Sequence, residues 1–305
     1  MAPAPRRIAL ATCRPHPEIS ADRELPVLAA AVDAAGADSA IVYWDDPEVD
    51  WAGFDLVVIR STWDYVLHAA EFVAWAERCG ALTRLANPAP VVRWNTDKRY
   101  LGDLAARGIP MVPTRYLPPG ASVDLPEADA GGEYVIKPTT GAGARFAARY
   151  GPGDEATARR HIERMHAEGL TAMAQPYMRG IDTTGERALL FFGGRFLHAI
   201  RKGAVLAPGT AYDERKVAHP GVRVWDPTEA ELAVAANALA AVPGTPDTSG
   251  APAPELLYAR VDLVDGDDGT PRVMELELVE PNLFLDLHPG SPSTVADAIL
   301  RAAGR

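Results

Sequence analysis

The sequence is poor in lysine, in cysteine and in positive charge overall. Of its 30 basic residues all but four are arginine, and the formal net charge is −11 at neutral pH. A negative balance of this size argues against a nucleic-acid backbone or an anionic membrane as the main partner. An anionic ligand would therefore need a locally basic pocket.

Cysteines and long apolar runs are also scarce. Cys13 and Cys79 are the only cysteines and form no closely spaced motif, which is typical of reduced thiols in a cytoplasmic protein. The apolar stretch after Arg7 ends at Arg14, which is too short for an export signal. No run of about 18 apolar residues is present, so no segment is expected to cross a membrane.

The four lysines are candidates for special positions. They are Lys98, Lys137, Lys202 and Lys216. In a chain that uses arginine for general positive charge, a lysine suits a place that needs a compact point charge, and phosphate binding is the leading such use. Biased codon usage is the alternative explanation, above all for Lys216.

The length of 305 residues allows two or three modules with more than one core. In residues 1–90, predicted strands alternate with predicted helices, as in a parallel sheet covered by helices on both faces. The predicted strands are 7–12, 37–44, 54–60 and 82–86, and the predicted helices are 20–35 and 68–79. The Asn-Pro-Ala-Pro segment at 87–90 is expected to end this module.

The loop after the third predicted strand is rich in hydrogen-bonding side chains. Ligands of parallel sheets bind beyond the carboxyl ends of the strands, and this loop carries Ser61, Thr62 and Asp64. A small polar substrate would suit it. The alternative is a helix cap, in which Thr62 or Asp64 accepts backbone N–H groups.

The middle of the chain contains two segments suited to a nucleotide. A strand ending at Lys137 leads into a turn with Gly141 and Gly143, where small residues let backbone N–H groups approach an anion. The turn matches neither common phosphate-loop motif, and any hairpin turn can hold two glycines. A strand over 170–178 is interrupted by Pro176, which either frees backbone groups for a base or marks an edge strand.

Further elements are predicted on either side of these segments. A helix over 96–107 would place Lys98 in its first turn, and a short strand is expected at 109–113. A hairpin over 186–192 and 195–202 would direct Arg187, Arg201 and Lys202 at candidate anion positions. A mobile loop is predicted at 207–220, a helix with a capping box from residue 228 to 242, and a surface helix at 291–303.

Two late strands, 258–264 and 273–282, alternate apolar and polar residues. Their polar faces carry Arg260 with Asp262, and Glu275 with Glu277, and the turn-forming segment 265–270 predicts an antiparallel hairpin. Two glutamates at this spacing repel each other unless a cation lies between them, and Mg²⁺ binds through carboxylates and substrate phosphates. The alternative is a solvated outer face of an edge strand.

This order of elements resembles the ATP-grasp ligases, and the resemblance covers nearly the whole chain. It implies an α/β fold of composite α+β type, with an N-terminal parallel-sheet domain and two α+β subdomains that enclose ATP. The corresponding segments are 1–90, 91–176 and 177–305. It also implies ATP and Mg²⁺ as cofactors.

The resemblance assigns roles to individual residues. The ATP-binding residues would be Lys98, Lys137, Gly141, Gly143, Gln175, Tyr177 and Met178. The metal ligands would be Asp262, Glu275 and Glu277, although the family usually has asparagine where Glu277 stands. Arg260 or Arg201 would stabilise an acyl phosphate, and Ser61, Thr62, Asp64 and Arg187 would bind the substrate.

Within the family, the segments LATCR, RSTWDY and YARVDLV resemble those of a branch of cyclo-ligases. The resemblance implies that ATP activates the carboxylate of O-ureido-D-serine, that the carbamoyl part is lost, and that the aminooxy nitrogen closes the ring of D-cycloserine. One small amino-acid-like substrate carrying both groups needs a single site. An intermolecular ligase, a kinase and a nucleotide-binding module without turnover are the alternatives, and a homodimer is compatible with the sequence.

Overall fold

The computed structural model describes residues 4–16, 21–123, 125, 132–213, 220–244 and 256–304. Ser20, where the first predicted helix begins, lies outside these ranges. Lys216 and part of the predicted loop at 207–220 also lie outside them.

The N-terminal part is the expected parallel sheet. Its strands are β1 (Arg7–Thr12), β2 (Asp38–Tyr43), β3 (Leu56–Ile59) and β4 (Leu85–Ala86), in the order β2-β1-β3-β4. Helices α1 (Leu25–Ala34) and α2 (Ala69–Leu82) connect them. Helix α1 begins later than predicted, after Asp22 Oδ1 accepts the backbone N–H groups of Glu24 and Leu25. Helix α2 continues through Gly80, which does not adopt the positive φ with which glycine ends a helix.

The helix predicted over 96–107 is the shorter α4 (Tyr100–Ala106), and a helix that was not predicted, α3 (Ala89–Asn95), precedes it. Lys98 therefore lies in the connection between them and not in a first helical turn. Asn87 Nδ2 donates to the carbonyls of Tyr258 and Leu278, and Asn95 Nδ2 donates to that of Leu276. These bonds hold the segment against the C-terminal sheet, so its position is set by tertiary contacts.

The middle sheet is entirely antiparallel. It contains β5 (Arg115–Leu117), β6 (Tyr134–Pro138), β7 (Ala148–Tyr150) and β8 (Ala172–Pro176), in the order β5-β8-β6-β7, with α5 (Glu155–Ala167) packed on it. The strand predicted at 109–113 is wrong. Only Met111 forms a bridge there, to Val273, because Pro110 and Pro113 have no N–H to pair.

The C-terminal sheet has five strands. They are β9 (Glu186–Phe192), β10 (Arg195–Lys202), β11 (Arg223–Trp225), β12 (Tyr258–Asp265) and β13 (Pro271–Glu277), in the order β11-β10-β9-β12-β13. A short helix, α6 (Gly180–Thr183), precedes β9. Helix α7 (Glu229–Ala240) begins with the predicted capping box of Thr228 and Glu231 and packs against one face of the sheet.

The last helix, α8 (Ser291–Ala303), has the predicted bounds but returns to the N-terminal sheet. Its residues Val295 and Ile299 share a core with Ile8 and Leu10 of β1, so one side of this predicted surface helix is buried. The domain boundaries drawn from the sequence stay predictions. No helix in the described ranges is long and apolar enough to span a membrane.

Candidate functional site

A cavity of about 460 Å³ is lined by residues from all three sheet regions. Trp63 and Glu24 contribute from the N-terminal part, β6 and β8 from the middle sheet, and β9, β10, β12 and β13 from the C-terminal sheet. The volume lies in the range of small-molecule sites, which commonly form where domains meet.

Six basic side chains line this cavity, Arg23 and Arg145 among them, and the other four come from elements far apart in sequence. Lys98 comes from the connection between α3 and α4, Lys137 from β6, Lys202 from the end of β10 and Arg260 from β12. The cavity thus supplies the locally basic pocket that an acidic protein needs for an anionic ligand.

The three predicted metal ligands face the same cavity. In the antiparallel register, Asp262 is opposite Glu275, and Arg260 is opposite Glu277. Arg260 Nε and Nη2 each lie 2.9 Å from an Asp262 oxygen, and Arg260 also pairs with Glu277. Lys98 Nζ lies 3.1 Å from Glu275, so all three carboxylates have a cationic partner.

The pKa shifts follow from burial and from these pairs. Burial by itself would raise the pKa of Asp262, but Arg260 and Lys202 hold it well below its usual range. Burial opposes the charge of Lys98, yet Glu275 raises its pKa. For Glu277 the effect of burial prevails over Arg260, and its pKa is raised.

Lys137 differs from Lys98, Lys202 and Arg260. Its ammonium group makes no hydrogen bond or ion pair with the described residues, and burial lowers its pKa although Glu275 opposes the shift. A half-buried cation without a protein partner is incompletely hydrated, and an anionic ligand from the cavity would supply the missing interaction.

The chemistry of the carboxylates fits a magnesium ion, since hard divalent cations prefer oxygen ligands. Within the described ranges, however, no group of three acidic, histidine or cysteine side chains is arranged to hold a metal ion. Lys98, Lys202 and Arg260 neutralise the carboxylates instead. Metal binding would therefore require these pairs to open.

The predicted nucleotide segments also line the cavity. These residues are Gly141, Gly143, Gln175, Tyr177 and Met178. Lys98 Nζ donates to the Gly141 carbonyl at 2.6 Å, and Gln175 Nε2 donates to Thr114 Oγ1 at 2.9 Å. Because the Gln175 side chain is already engaged, a base at this position would meet backbone groups and the apolar surface of Met178.

The polar side chains of the loop after β3 do not line the cavity. Ser61 and Thr62 are buried, and Ser61 Oγ shares a hydrogen bond of 2.8 Å with Thr12 Oγ1. Asp64 accepts a hydrogen bond of 2.8 Å from Trp44 Nε1. None of the three caps the helical turn that follows, so the structure supports neither the substrate site nor the helix cap. Trp63 is the residue of this loop that lines the cavity.

Arg187 and Arg201 point away from the cavity, which corrects the prediction for both. The hairpin has the predicted bounds, but Arg187 pairs with Glu231 at 2.7 Å on the face covered by α7. Arg201 is opposite Arg187 in the register and donates to backbone carbonyls of α6 and the residue after it. Since side chains alternate along a strand, the neighbours Glu186 and Lys202 face the cavity instead.

Sequence reasoning missed Glu186 and Glu280 as cavity residues. Glu186 pairs with Lys202, and burial raises its pKa to about 7 although Lys202 opposes the shift. Glu280 lies three residues beyond the end of β13, where the period of two no longer applies. The sequence feature that could have indicated Glu280 is the presence of an acidic residue within the apolar run that follows Glu277.

Known proteins resemble the chain in sequence and in structure. Residues 8–87 match the family model of the N-terminal domain of D-cycloserine synthetase DcsG. The cycloserine biosynthesis protein DcsG of Streptomyces lavendulae is 39% identical over 287 residues, which cover 91% of this chain and 93% of that protein.

Two solved structures extend the comparison. The crystal structure of D-cycloserine synthetase DcsG has a TM-score of 0.85 and 37% identity, covering 97% of this chain and 99% of that one. D-alanine–D-alanine ligase from Bacillus anthracis, solved with ATP, has a TM-score of 0.70 and 16% identity, covering 98% of each chain. The ATP-grasp fold expected from the sequence is thereby confirmed. The chain belongs to the family of the cycloserine biosynthesis protein DcsG.

Proposed function

We propose that the protein is an ATP-dependent, ADP-forming ligase that activates the carboxylate of a small amino acid and closes a ring by attack of a nitrogen in the same molecule. The observation that carries the proposal is the single cavity on which Lys98, Lys137, Lys202 and Arg260 converge with three carboxylates. Phosphoryl transfer depends mainly on positioning and charge stabilisation, and this arrangement supplies both.

In the first step, a substrate carboxylate oxygen attacks the γ-phosphorus of ATP, and ADP leaves. Lys137 would bind a phosphate, because its ammonium lacks any other partner among the described residues. Asp262, Glu275 and Glu277 would hold Mg²⁺, which would neutralise phosphate charge during the transfer. Arg260 borders both these carboxylates and the cavity, so it is placed to stabilise the acyl phosphate.

In the second step, nitrogen replaces phosphate at the acyl carbon. The names of the relatives, cycloserine biosynthesis protein and D-cycloserine synthetase, support D-cycloserine as the product. The proposed substrate is O-ureido-D-serine, as the sequence resemblance implies. The carbamoyl group is transferred to water and leaves as carbamate, and the aminooxy nitrogen forms the ring amide as phosphate is released. Holding both reacting groups in one molecule replaces a bimolecular attack by a unimolecular one.

The test is to incubate the protein with ATP, Mg²⁺ and O-ureido-D-serine, without a second amine, and to measure ADP, phosphate and the product mass. The proposal predicts equal amounts of ADP and free phosphate together with the cyclic product. A linear amide that forms only after a second amino acid is added would indicate an intermolecular ligase. ADP with a phosphorylated product would indicate a kinase, and a lack of ADP would indicate a binding module.

A further inference from the structure

The cavity is lined by seven carboxylate side chains, and six of them have partners among the described residues. The seven are Asp22, Glu24, Glu186, Asp262, Glu275, Glu277 and Glu280. Asp22 and Glu24 each accept two backbone N–H groups, and the next four pair with cations. Glu280 is the exception: its carboxylate has no hydrogen bond or ion pair with a described residue.

Glu280 is nonetheless well buried and held in place through its backbone. Its exposed fraction is 8%. Trp63 Nε1 donates to the Glu280 carbonyl at 3.1 Å, and Arg60 Nη2 donates to the carbonyl of Pro281 at 3.3 Å. Both donors come from the N-terminal part. This part therefore holds the C-terminal segment that presents the Glu280 side chain to the cavity.

The surroundings leave Glu280 without enough positive charge. Burial, and after it Glu277, raises its pKa to about 8, although Lys98 and Arg260 oppose the shift. The titratable groups that interact with it are Glu275, Glu277, Lys98, Arg260, Tyr65 and Tyr258. An additional cation at Glu280 would restore the charge of this carboxyl group.

We propose that Glu280 binds the α-ammonium group of the amino-acid substrate. The inference rests on the proposed function, in which the substrate carboxylate is activated beside Lys98 and Arg260. Both of these residues are near enough to influence Glu280. The ammonium of an α-amino acid is attached to the carbon next to that carboxylate, so it needs a counter-ion close by. The other acidic groups of the cavity are already paired.

The experiment compares O-ureido-D-serine with its deamino analogue, 3-(ureidooxy)propanoate, on the wild type and on Glu280→Gln. The wild type is expected to prefer the amino acid in kcat/KM of ADP release by roughly 10- to 100-fold, the range for a hydrogen bond to a charged group. The variant is expected to lose most of this preference through a higher KM for the amino acid, while its KM for ATP stays near that of the wild type.

Glu24→Gln is the matched control, because the Glu24 carboxylate already accepts the N–H groups of Leu283 and Leu285. It should keep the preference for the amino acid. The inference is overturned if the wild type uses both compounds equally well. It is also overturned if Glu280→Gln loses activity equally on both compounds, which would indicate a proton-transfer or structural role.

The outcome separates this inference from the proposed function. If the wild type does not turn over O-ureido-D-serine but releases ADP with another amino acid, the proposed substrate is wrong. Glu280 is then tested with that amino acid and its deamino analogue.

Discussion

The two faces of the C-terminal sheet both carry buried arginines and carboxylates, but they differ in what covers them. On the face under α7, Arg187 pairs with Glu231 and Asp265, and its remaining donor reaches the Gly185 carbonyl. On the opposite face, Arg260 and Lys202 share Asp262, and these side chains border the cavity.

The comparison shows that a buried ion pair is not in itself a sign of a binding site. All three nitrogens of the Arg187 guanidinium donate hydrogen bonds, and the residue is only 2% exposed, so a ligand could not reach it. The cavity side is open, and the cavity is also lined by Lys137, from β6 of the middle sheet, and by Glu280, beyond the end of β13. The ammonium group of Lys137 and the carboxyl group of Glu280 have no partner among the described residues. The cavity face thus differs from the face under α7 in two ways: a ligand can reach it, and the cavity that it borders contains polar groups without a protein partner.

The largest expected effect is on stability and concerns the closed face. Arg187→Met leaves Glu231 buried without its cation, which should lower the free energy of unfolding by about 3–5 kcal/mol. Urea titration of the wild type and the variant measures this. ADP release per folded molecule should change little.

Arg201→Met is the control for that face, because Arg201 is more exposed and bonds only to carbonyls. Its effect on stability should be below about 1 kcal/mol. The opposite result would be an Arg187→Met protein that is as stable as the wild type but no longer turns over substrate. That result would support the substrate-binding role predicted for Arg187 from the sequence.

On the cavity face, Glu275→Gln should reduce ADP release by about 100-fold or more, the usual size for removing one electrostatic contact to a transition state. Folding should be retained, since glutamine has the same shape. Steady-state kinetics with varied Mg²⁺ measures the loss of ADP release, and thermal unfolding checks that the variant is folded. Activity near that of the wild type would show that Glu275 is not a metal ligand.

A smaller effect is expected for nucleotide binding. Lys137→Ala removes the unpaired cation and should weaken ATP binding by roughly 10-fold or more, as expected for a lost hydrogen bond to a charged group. Lys216→Ala is the control for the loss of a lysine in general. The affinity of this variant for the ATP analogue should match that of the wild type. Isothermal calorimetry with a non-hydrolysable ATP analogue gives both values. Equal affinities for the Lys137 variant and the wild type would remove this residue from the site.

The effect that is smallest at neutral pH concerns two buried histidines, His161 on α5 and His198 on β10. Burial lowers the pKa of each to about 4. The unfolded chain binds protons at these histidines near pH 6.5 that the folded chain binds only near pH 4, so their contribution to stability should fall as pH decreases through this window. Glu186 and Glu280 act in the opposite direction, because burial raises their pKa values to about 7 and about 8. Unfolding midpoints between pH 7 and pH 4 for the wild type and for His198→Asn isolate the histidine, and the variant should lose less stability than the wild type as pH falls. The same pH dependence in both proteins would contradict the assignment of His198.

Much of the fold was predictable because local signals agreed with the tertiary structure. The alternation of residues 186–202 gave the bounds of β9 and β10, and Thr228 with Glu231 correctly placed the start of α7. Helix α3 was not predictable as a separate element, because its position depends on bonds from Asn87 and Asn95 to a sheet almost 200 residues later.

The site was predictable only where one face of a strand was identified correctly. Asp262, Glu275 and Glu277 were placed on a common face by their spacing. For β9 and β10, alternation indicates that Glu186 and Arg187 face opposite sides, but it cannot tell which side is covered by α7. The loop at Ser61 and Thr62 was misjudged because polar side chains can be satisfied inside the fold, as Ser61 is by Thr12.

A crystal structure with ADP, Mg²⁺ and a substrate analogue is the most direct test of the assignment of the cavity face. We predict nucleotide phosphates within hydrogen-bond distance of Lys98 and Lys137, and a metal ion bound by Asp262, Glu275 and Glu277. A nucleotide bound elsewhere, or phosphates beyond reach of Lys137, would contradict it.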